Sequence, residues 1–193
     1  MPENIILHGE VNLGAGTIVE DNVILGNLVA AEMEKFIENT YRDVNIAFAN
    51  ELACICERYG VDVQEIIEAS NSQPYSHILN SGLVREHCIP MYPCYIISDA
   101  RSRGVEPRLM QTARDINESI FQHVVDMTDD GCKKVPALVL SFKKGVKSFE
   151  TSHTVKLASL LQQKGYDVIV HDSFLNSRQL PTINCQLASR GPC

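Results

Sequence analysis

Residues 29–60 read VAAEMEKFIENTYRDVNIAFANELACICERYG, and this stretch decides the fold. Ala31, Phe36, Ile37, Thr40, Val44, Phe48, Leu52 and Ile55 recur at three- and four-residue spacing, and neither Pro nor Gly interrupts them before Gly60. That period predicts one amphipathic helix over 29–59, long for a globular protein. Gly60 suits the position just past its end. The face that includes Phe36, Val44 and Phe48 is expected to pair with a symmetry mate, since an isologous two-fold contact is the commonest solution. Lys35 and Asn39 stand four apart, so a helix points both the same way. Asn in a helix interior carries a propensity cost, which suggests a role.

Downstream, Asp62 is an N-cap candidate with Glu65 three residues on, opening a second helix that runs to about Ser70. Residues 74–104, with Pro74, Pro90 and Pro93, read as loop-rich. Pro107 suits the first position of a helix ending near Met127, with Ala113, Ile116, Ile120, Val124 and Met127 on its buried face. Val135–Ser141, Thr154–Lys164 and Tyr166–Val170 read as strand, helix and strand, a β-α-β unit with parallel strands. Two parallel strands have too little core to stand alone. The tail after Phe174 shows no periodicity and is expected to be loose.

Upstream the grammar differs. Leu7, Leu13, Val19 and Leu25 recur every six residues, and Leu13-Gly14-Ala15-Gly16-Thr17-Ile18 fits the hexad of a left-handed parallel β-helix. Residues 5–27 supply little more than one triangular coil, so a pair of short strands or an edge hairpin competes with that reading. The segment resembles the start of a hexapeptide acyltransferase.

Composition narrows the classes. Of 193 residues 45% are apolar and 21% charged, with a net charge of −7, and no basic block argues for nucleic acid or anionic membrane. No apolar run reaches the ~20 residues that cross a bilayer. The seven Cys show no disulfide framework and Met1-Pro2-Glu3-Asn4 does not read as a secretory leader, so a reducing cytoplasm is the expected compartment. Cys54 and Cys56 fall on different sides of a helix, so no metal site is expected.

The chemistry concentrates at His87-Cys88-Ile89-Pro90. A thiol that can attack an aldehyde, with an ammonium and an amide to manage the oxygen, suits the thioester route from an alcohol to an acid when a hydride acceptor is supplied. Ala31-Glu32-Met33-Glu34-Lys35-Phe36-Ile37-Glu38-Asn39, Asn45–Ala53, Gly60-Val61-Asp62-Val63, His87–Pro90, Ala113-Arg114-Asp115-Ile116-Asn117 and Ser141-Phe142-Lys143-Lys144 follow one another in order over roughly 140 residues. In this the chain resembles the UDP-glucose/GDP-mannose dehydrogenase family, its UDP-N-acetyl-mannosamine dehydrogenase branch in particular. The chain is expected to be α+β, mostly α: its six-residue period gives a short, hexapeptide-like β segment at 1–27, and from Ala31 onward the resemblance implies a helical central dimerisation domain at 28–130 and an incomplete Rossmann-like UDP-sugar domain at 131–193. It implies oxidation of a sugar C6 alcohol with NAD as acceptor. Cys88 would form the thiohemiacetal and thioester, Lys35 would stabilise the oxyanion and Asn39 would hold a water or the developing oxygen. Arg114, Asn117, Phe142 and Lys143 would touch the substrate. Interface packing is the alternative for Arg114 and Asn117, a solvated turn for Lys143 and Lys144, a structural thiol for Cys88, and an ordinary loop residue for His87.

Several positions depart from the family pattern. No Gly-x-Gly-x-x-Gly occurs anywhere, Gly14-Ala15-Gly16 being the nearest approach, so this chain is not expected to bind NAD. Arg85 and Glu86 stand where glycines would let a nucleotide sugar approach the backbone, so affinity for the UDP-sugar is expected to be weak or lost. Tyr92 stands four residues after Cys88 in place of an acid, and Glu150 in place of an Arg. The functional expectations are therefore a UDP-sugar 6-dehydrogenase by descent, a non-catalytic dimerising remnant, or an acyltransferase fragment.

Overall fold

The computed structural model describes residues 6–7, 24–25, 28–84, 88–128, 131, 134–138, 152–171 and 186–187. In chain order the elements are β1 (Ile6–Leu7), β2 (Ile24–Leu25), α1 (Leu28–Tyr59), α2 (Val63–Asn71), α3 (Cys88–Ser102), α4 (Arg108–Asp126), β3 (Lys134–Leu138), α5 (His153–Gln163), β4 (Asp167–His171) and β5 (Gln186–Leu187). The described part is mostly helical, with short parallel sheets at either end.

The 32-residue α1 is the axis of the central domain, and α3 and α4 pack along it. It stops where expected. Gly60 takes φ +66° and the Val61 N–H donates to the Cys56 carbonyl at 3.1 Å, closing the last turn as only a residue free of Cβ does without strain. α2 follows, with Asp62 accepting from the Gln64 N–H at 2.8 Å.

The buried face of α1 is not the apolar one. Asn39, Thr40, Asp43, Ala47, Ala49, Asn50 and Cys56 are buried, whereas Ile37, Phe48 and Ile55 are about half exposed. The apolar periodicity marks a face left exposed in the single chain, while the interior of this domain pairs polar groups with polar groups.

α3 corrects the loop expected over 74–104. Pro90 falls in the first turn, where its missing N–H would find no intrahelical partner anyway. Pro93 lies inside the helix, and Ile89, Pro93 and Ile97, four residues apart, form its buried stripe. Packing against the domain outweighs the bond that Pro93 removes.

On α4, Pro107 is the N-cap rather than the first helical residue. Its buried face is Ala113, Arg114, Asn117, Ile120, Phe121 and Val125, rotated from the expected one so that Met127 is exposed. Val125 extends into the core of the C-terminal unit with Ala158, Leu161, Tyr166 and Val168. The Lys164 ammonium donates to the Val125 carbonyl at 3.0 Å and the Tyr166 hydroxyl to the Thr128 carbonyl at 3.1 Å, satisfying orphan carbonyls at the end of α4.

The strands order β3-β4-β5, all parallel, with α5 between β3 and β4 in sequence. Within the tail expected to be loose, Gln186 and Leu187 of β5 pair with Ile169 and Val170, and the rest of that tail lies outside the described residues. At the other end β1 and β2 pair in parallel, Ile6 with Ile24 and Leu7 with Leu25. A hairpin would run antiparallel, so that alternative falls. The offset is eighteen residues, or three hexads. The intervening hexads lie outside the described residues.

Candidate functional site

The turn of α1 that carries Lys35 and Asn39 lies against the first turns of α3. Phe36 packs edge-on against Tyr92 with ring centroids 5.3 Å apart, and Tyr95 completes the aromatic cluster at 6.4 Å from Phe36. Tyr92 sits four residues after Cys88, so both occupy one side of α3. The Cys88 thiol, first residue of α3, is exposed between two buried anchors, Val84 before it and Ile89 after it.

Lys35 is exposed and forms an ion pair with Glu38 at 2.8 Å. The hydrogen bond to Glu38 and its charge raise the ammonium pKa, with small further contributions from Glu34 and Tyr92. Lys35 is thus held as a cation beside the α3 aromatic cluster. Asn39 is buried, and its amide donates back to the Lys35 carbonyl at 2.9 Å. Thr40 does the same to the Phe36 carbonyl at 2.7 Å.

Arg114 and Asn117 lie in the packing between two helices, the alternative weighed for them. Both are buried where α4 packs on α1. Arg114 donates to Asp43 Oδ1 at 2.6 Å and to Glu118 at 3.0 Å. Asn117 donates to the backbone carbonyl and Oδ1 of Asp43 at 2.9 and 2.8 Å, and its own carbonyl accepts from Asn50 at 2.9 Å. Glu118 also takes Lys156 of α5, so a line of alternating charge runs from the C-terminal unit to the centre of the helical domain. Burial raises the Asp43 pKa against the opposing pull of Arg114. For Glu118, burial is outweighed by its bonds to Lys156 and Arg114, and its pKa is lowered.

Phe142, Lys143 and His87 lie outside the described residues. Cys54 is half-buried with its thiol pKa raised by burial, and Cys56 is buried. Among the described residues no three His, Cys, Asp or Glu side chains are grouped to hold a metal, and no helix is long and apolar enough to cross a membrane. A cleft of about 310 Å³ opens between α3 and α4, lined by Cys94, Ile97, Ser98, Arg101, Gln111 and Arg114, on a stretch of α3 beyond Cys88.

Sequence reading missed Asp43, Asn45 and Asn50 as functional candidates. The signal was present: Asn and Asp inside a helix are poor formers, and such residues are retained where their side chains have partners elsewhere.

Residues 29–119 match the central-domain model of the UDP-glucose/GDP-mannose dehydrogenase family. The chain is 36% identical over 163 residues to a UDP-N-acetyl-D-mannosamine dehydrogenase of Methanocaldococcus jannaschii, covering 82% of this chain and 37% of that protein. It is 36% identical over 152 residues to an NDP-N-acetyl-D-galactosaminuronic acid dehydrogenase of Ralstonia nicotianae, covering 76% and 35%. A solved UDP-N-acetyl-mannosamine dehydrogenase from S. aureus superimposes with a TM-score of 0.67 at 34% identity, over 79% of this chain and 38% of that one. The chain spans under half the length of these relatives. With its Lys35-to-Asn39 helix, its exposed Cys88 and residues 29–119 in register with that central domain, the chain belongs to the UDP-glucose/GDP-mannose dehydrogenase family.

Proposed function

We propose that this chain carries the thiol, ammonium and amide of a UDP-sugar 6-dehydrogenase of the UDP-N-acetyl-mannosamine type, acting in nucleotide-sugar metabolism in the cytoplasm. One observation carries the reading: the helix that begins at exposed Cys88 is seated, through Tyr92 on Phe36, against the turn of α1 that bears Lys35 and Asn39. In this reading the Cys88 sulfur adds to the C6 aldehyde carbon and gives a thiohemiacetal. The Lys35 ammonium, released from exposed Glu38, balances the charge that grows on oxygen. Asn39 fixes the turn that presents Lys35 and positions water for the thioester. Loss of a hydride from C6 to an acceptor outside the residues named here would turn the thiohemiacetal into the thioester, and water adding to that carbonyl would then expel the Cys88 thiolate and leave the carboxylate.

The family's hydride acceptor is NAD, and the residues present do not fit it. No strand among the described residues leads into a helix through Gly-x-Gly-x-x-Gly, and the sequence holds no such run. No step is routed through it here.

The exposed side of α1 supports a homodimer. Ile37, Tyr41, Val44, Phe48, Leu52, Ile55 and Tyr59 recur at four- and three-residue steps along one side of the helix, and Ile37, Tyr41, Phe48, Ile55 and Tyr59 among them are exposed in the single chain. At the N-terminus the parallel pairing at an eighteen-residue offset supports one coil of a hexad repeat.

The test is alkylation of Cys88 by iodoacetamide, followed by peptide mass spectrometry, with and without UDP-N-acetylmannosamine. The sugar nucleotide is expected to slow Cys88 and leave exposed Cys94 unchanged; equal rates would reject the reading. Incubation with NAD and the sugar nucleotide is expected to yield no NADH from this chain, and NADH absorbance would overturn the assignment of the acceptor site to other residues.

A further inference from the structure

Over residues 77–82, upstream of Cys88, no strand among the described residues pairs with the main chain, and three asparagines bind it instead. Asn45 accepts from the Leu79 N–H at 2.8 Å and donates to the His77 carbonyl at 2.6 Å. Asn71 accepts from the Ile78 N–H at 2.7 Å and donates to its carbonyl at 2.8 Å. Asn50 accepts from the Gly82 N–H at 2.7 Å and donates to its carbonyl at 3.1 Å. Each side-chain amide thus grips one donor and one acceptor of the main chain, as a neighbouring strand would.

Asn50 differs from the other two. It is buried, and the same amide also donates to Asn117, which is bonded in turn to Asp43 under Arg114. Gly82 holds φ +149°, a backbone conformation that residues with a side chain rarely adopt. Two residues on, Val84 is buried, and Cys88 follows after three more residues. The grip at Gly82 is therefore a short lever on the thiol, anchored in the α1–α4 ion pair.

We propose that Asn50 is a positioning residue for the Cys88 thiol, with Asn45 and Asn71 holding the segment upstream. The inference rests on the reading of Cys88 as the reacting sulfur. It assigns to the polar face of α1 a second task besides packing: fixing where the chain enters α3.

Cys94 supplies an internal control, since it is exposed and lies on the same helix beyond Cys88. In the full chain, Asn50→Ala is expected to raise hydrogen exchange at the Gly82 amide by roughly five- to thirtyfold, the factor for one or two lost hydrogen bonds. It is expected to raise the Cys88-to-Cys94 alkylation ratio by about fivefold. Asn71→Ala, on an exposed residue, is expected to move the same ratio in the same direction by less. A purely structural role would accelerate Cys88, Cys94 and buried Cys56 together, and that pattern overturns the proposal, as does an unchanged ratio. Should Asn50→Ala fail to fold, Asn71→Ala decides on the same ratio. These rates are measured without sugar nucleotide, so a failure of UDP-N-acetylmannosamine to protect Cys88 counts against the proposed function and not against the grip.

Discussion

Replacing Arg114 with Met should be among the most damaging single changes in the helical domain. Asp43 is fully buried, and its Oδ1 takes Arg114 at 2.6 Å and Asn117 at 2.8 Å while its Oδ2 has no hydrogen-bond partner among the described residues. Met keeps the aliphatic stem but leaves a buried carboxylate facing one amide. Breaking a buried pair by deleting one partner costs ~3–5 kcal/mol, a large share of a typical domain's ~5–15 kcal/mol. The pH dependence carries the sharper test. Burial already raises the Asp43 pKa and Arg114 pulls it back, so the variant's carboxyl should rise further. A folded-state pKa above the unfolded one contributes stability that is present below the unfolded value and lost as pH rises through the folded value. The deficit should thus be full near neutrality and shrink on acidification toward the ordinary aspartate range. Urea unfolding followed by helix circular dichroism, at fixed protein concentration and a series of pH values, measures it. A deficit under about 1 kcal/mol at neutral pH, or one that does not change with pH, would refute the assignment of Arg114 as the counter-charge.

Three further outcomes are expected. Phe48→Asp together with Ile55→Asp, both on the exposed stripe of α1, should convert a sedimenting dimer to monomer at micromolar concentration with helix content kept; a double variant that still sediments as the parent removes α1 from the interface. Asp62→Ala removes the side-chain cap of α2 and should cost ~1 kcal/mol in thermal or urea unfolding, with Cys88 alkylation unchanged. Gly82→Ala places a Cβ in open space, so only the backbone at φ +149° resists it; a loss of ~1–3 kcal/mol with faster exchange at residue 82 is expected, and a neutral result would show that the segment relaxes freely.

The length of α1 was legible because nothing in 28–59 breaks a helix and Gly60 ends it. Its inward face was not. Phe48 and Ile55 look like core by spacing, yet within one chain the core side is Asp43, Ala47 and Asn50, whose partners Arg114 and Asn117 lie about seventy residues away in sequence. A pattern local to one helix cannot distinguish a face that meets its own chain from one left over for another. α3 was hidden by Pro90 and Pro93, which read as breakers until Pro90 is placed in the first turn and Pro93 in the buried stripe with Ile89 and Ile97. β5 is two residues long, too short for any period to mark it. Lys35 and Asn39 share a turn of α1 as their spacing required, but the spacing did not reveal that Lys35 is exposed on Glu38 while Asn39 is buried and bonds back to the Lys35 carbonyl. The asparagines that grip residues 77–82 reveal themselves only once the backbone they bind is in place.

The polar interface between α1 and α4 raises a question of specificity. An apolar seam of the same volume would hold the helices as well, since buried ion pairs often contribute no more than well-packed hydrophobic groups. Apolar side chains accept many neighbours, so such a seam tolerates one helix sliding along the other. Asp43, Asn50, Arg114 and Asn117 do not: a one-turn shift would leave each with a buried donor or acceptor unmet, at ~1–3 kcal/mol apiece. The network therefore fixes one register of α4 on α1, and that register sets where Asn50 grips Gly82 and where Glu118 meets Lys156 of the C-terminal unit. Replacing Asp43, Asn50, Arg114 and Asn117 together with Leu or Met should accordingly preserve helix content and much of the stability, yet abolish the difference in exchange between Gly82 and its exposed neighbours. If the apolar version kept Gly82 protected, the polar network would be dispensable for register and its link to the thiol would be lost.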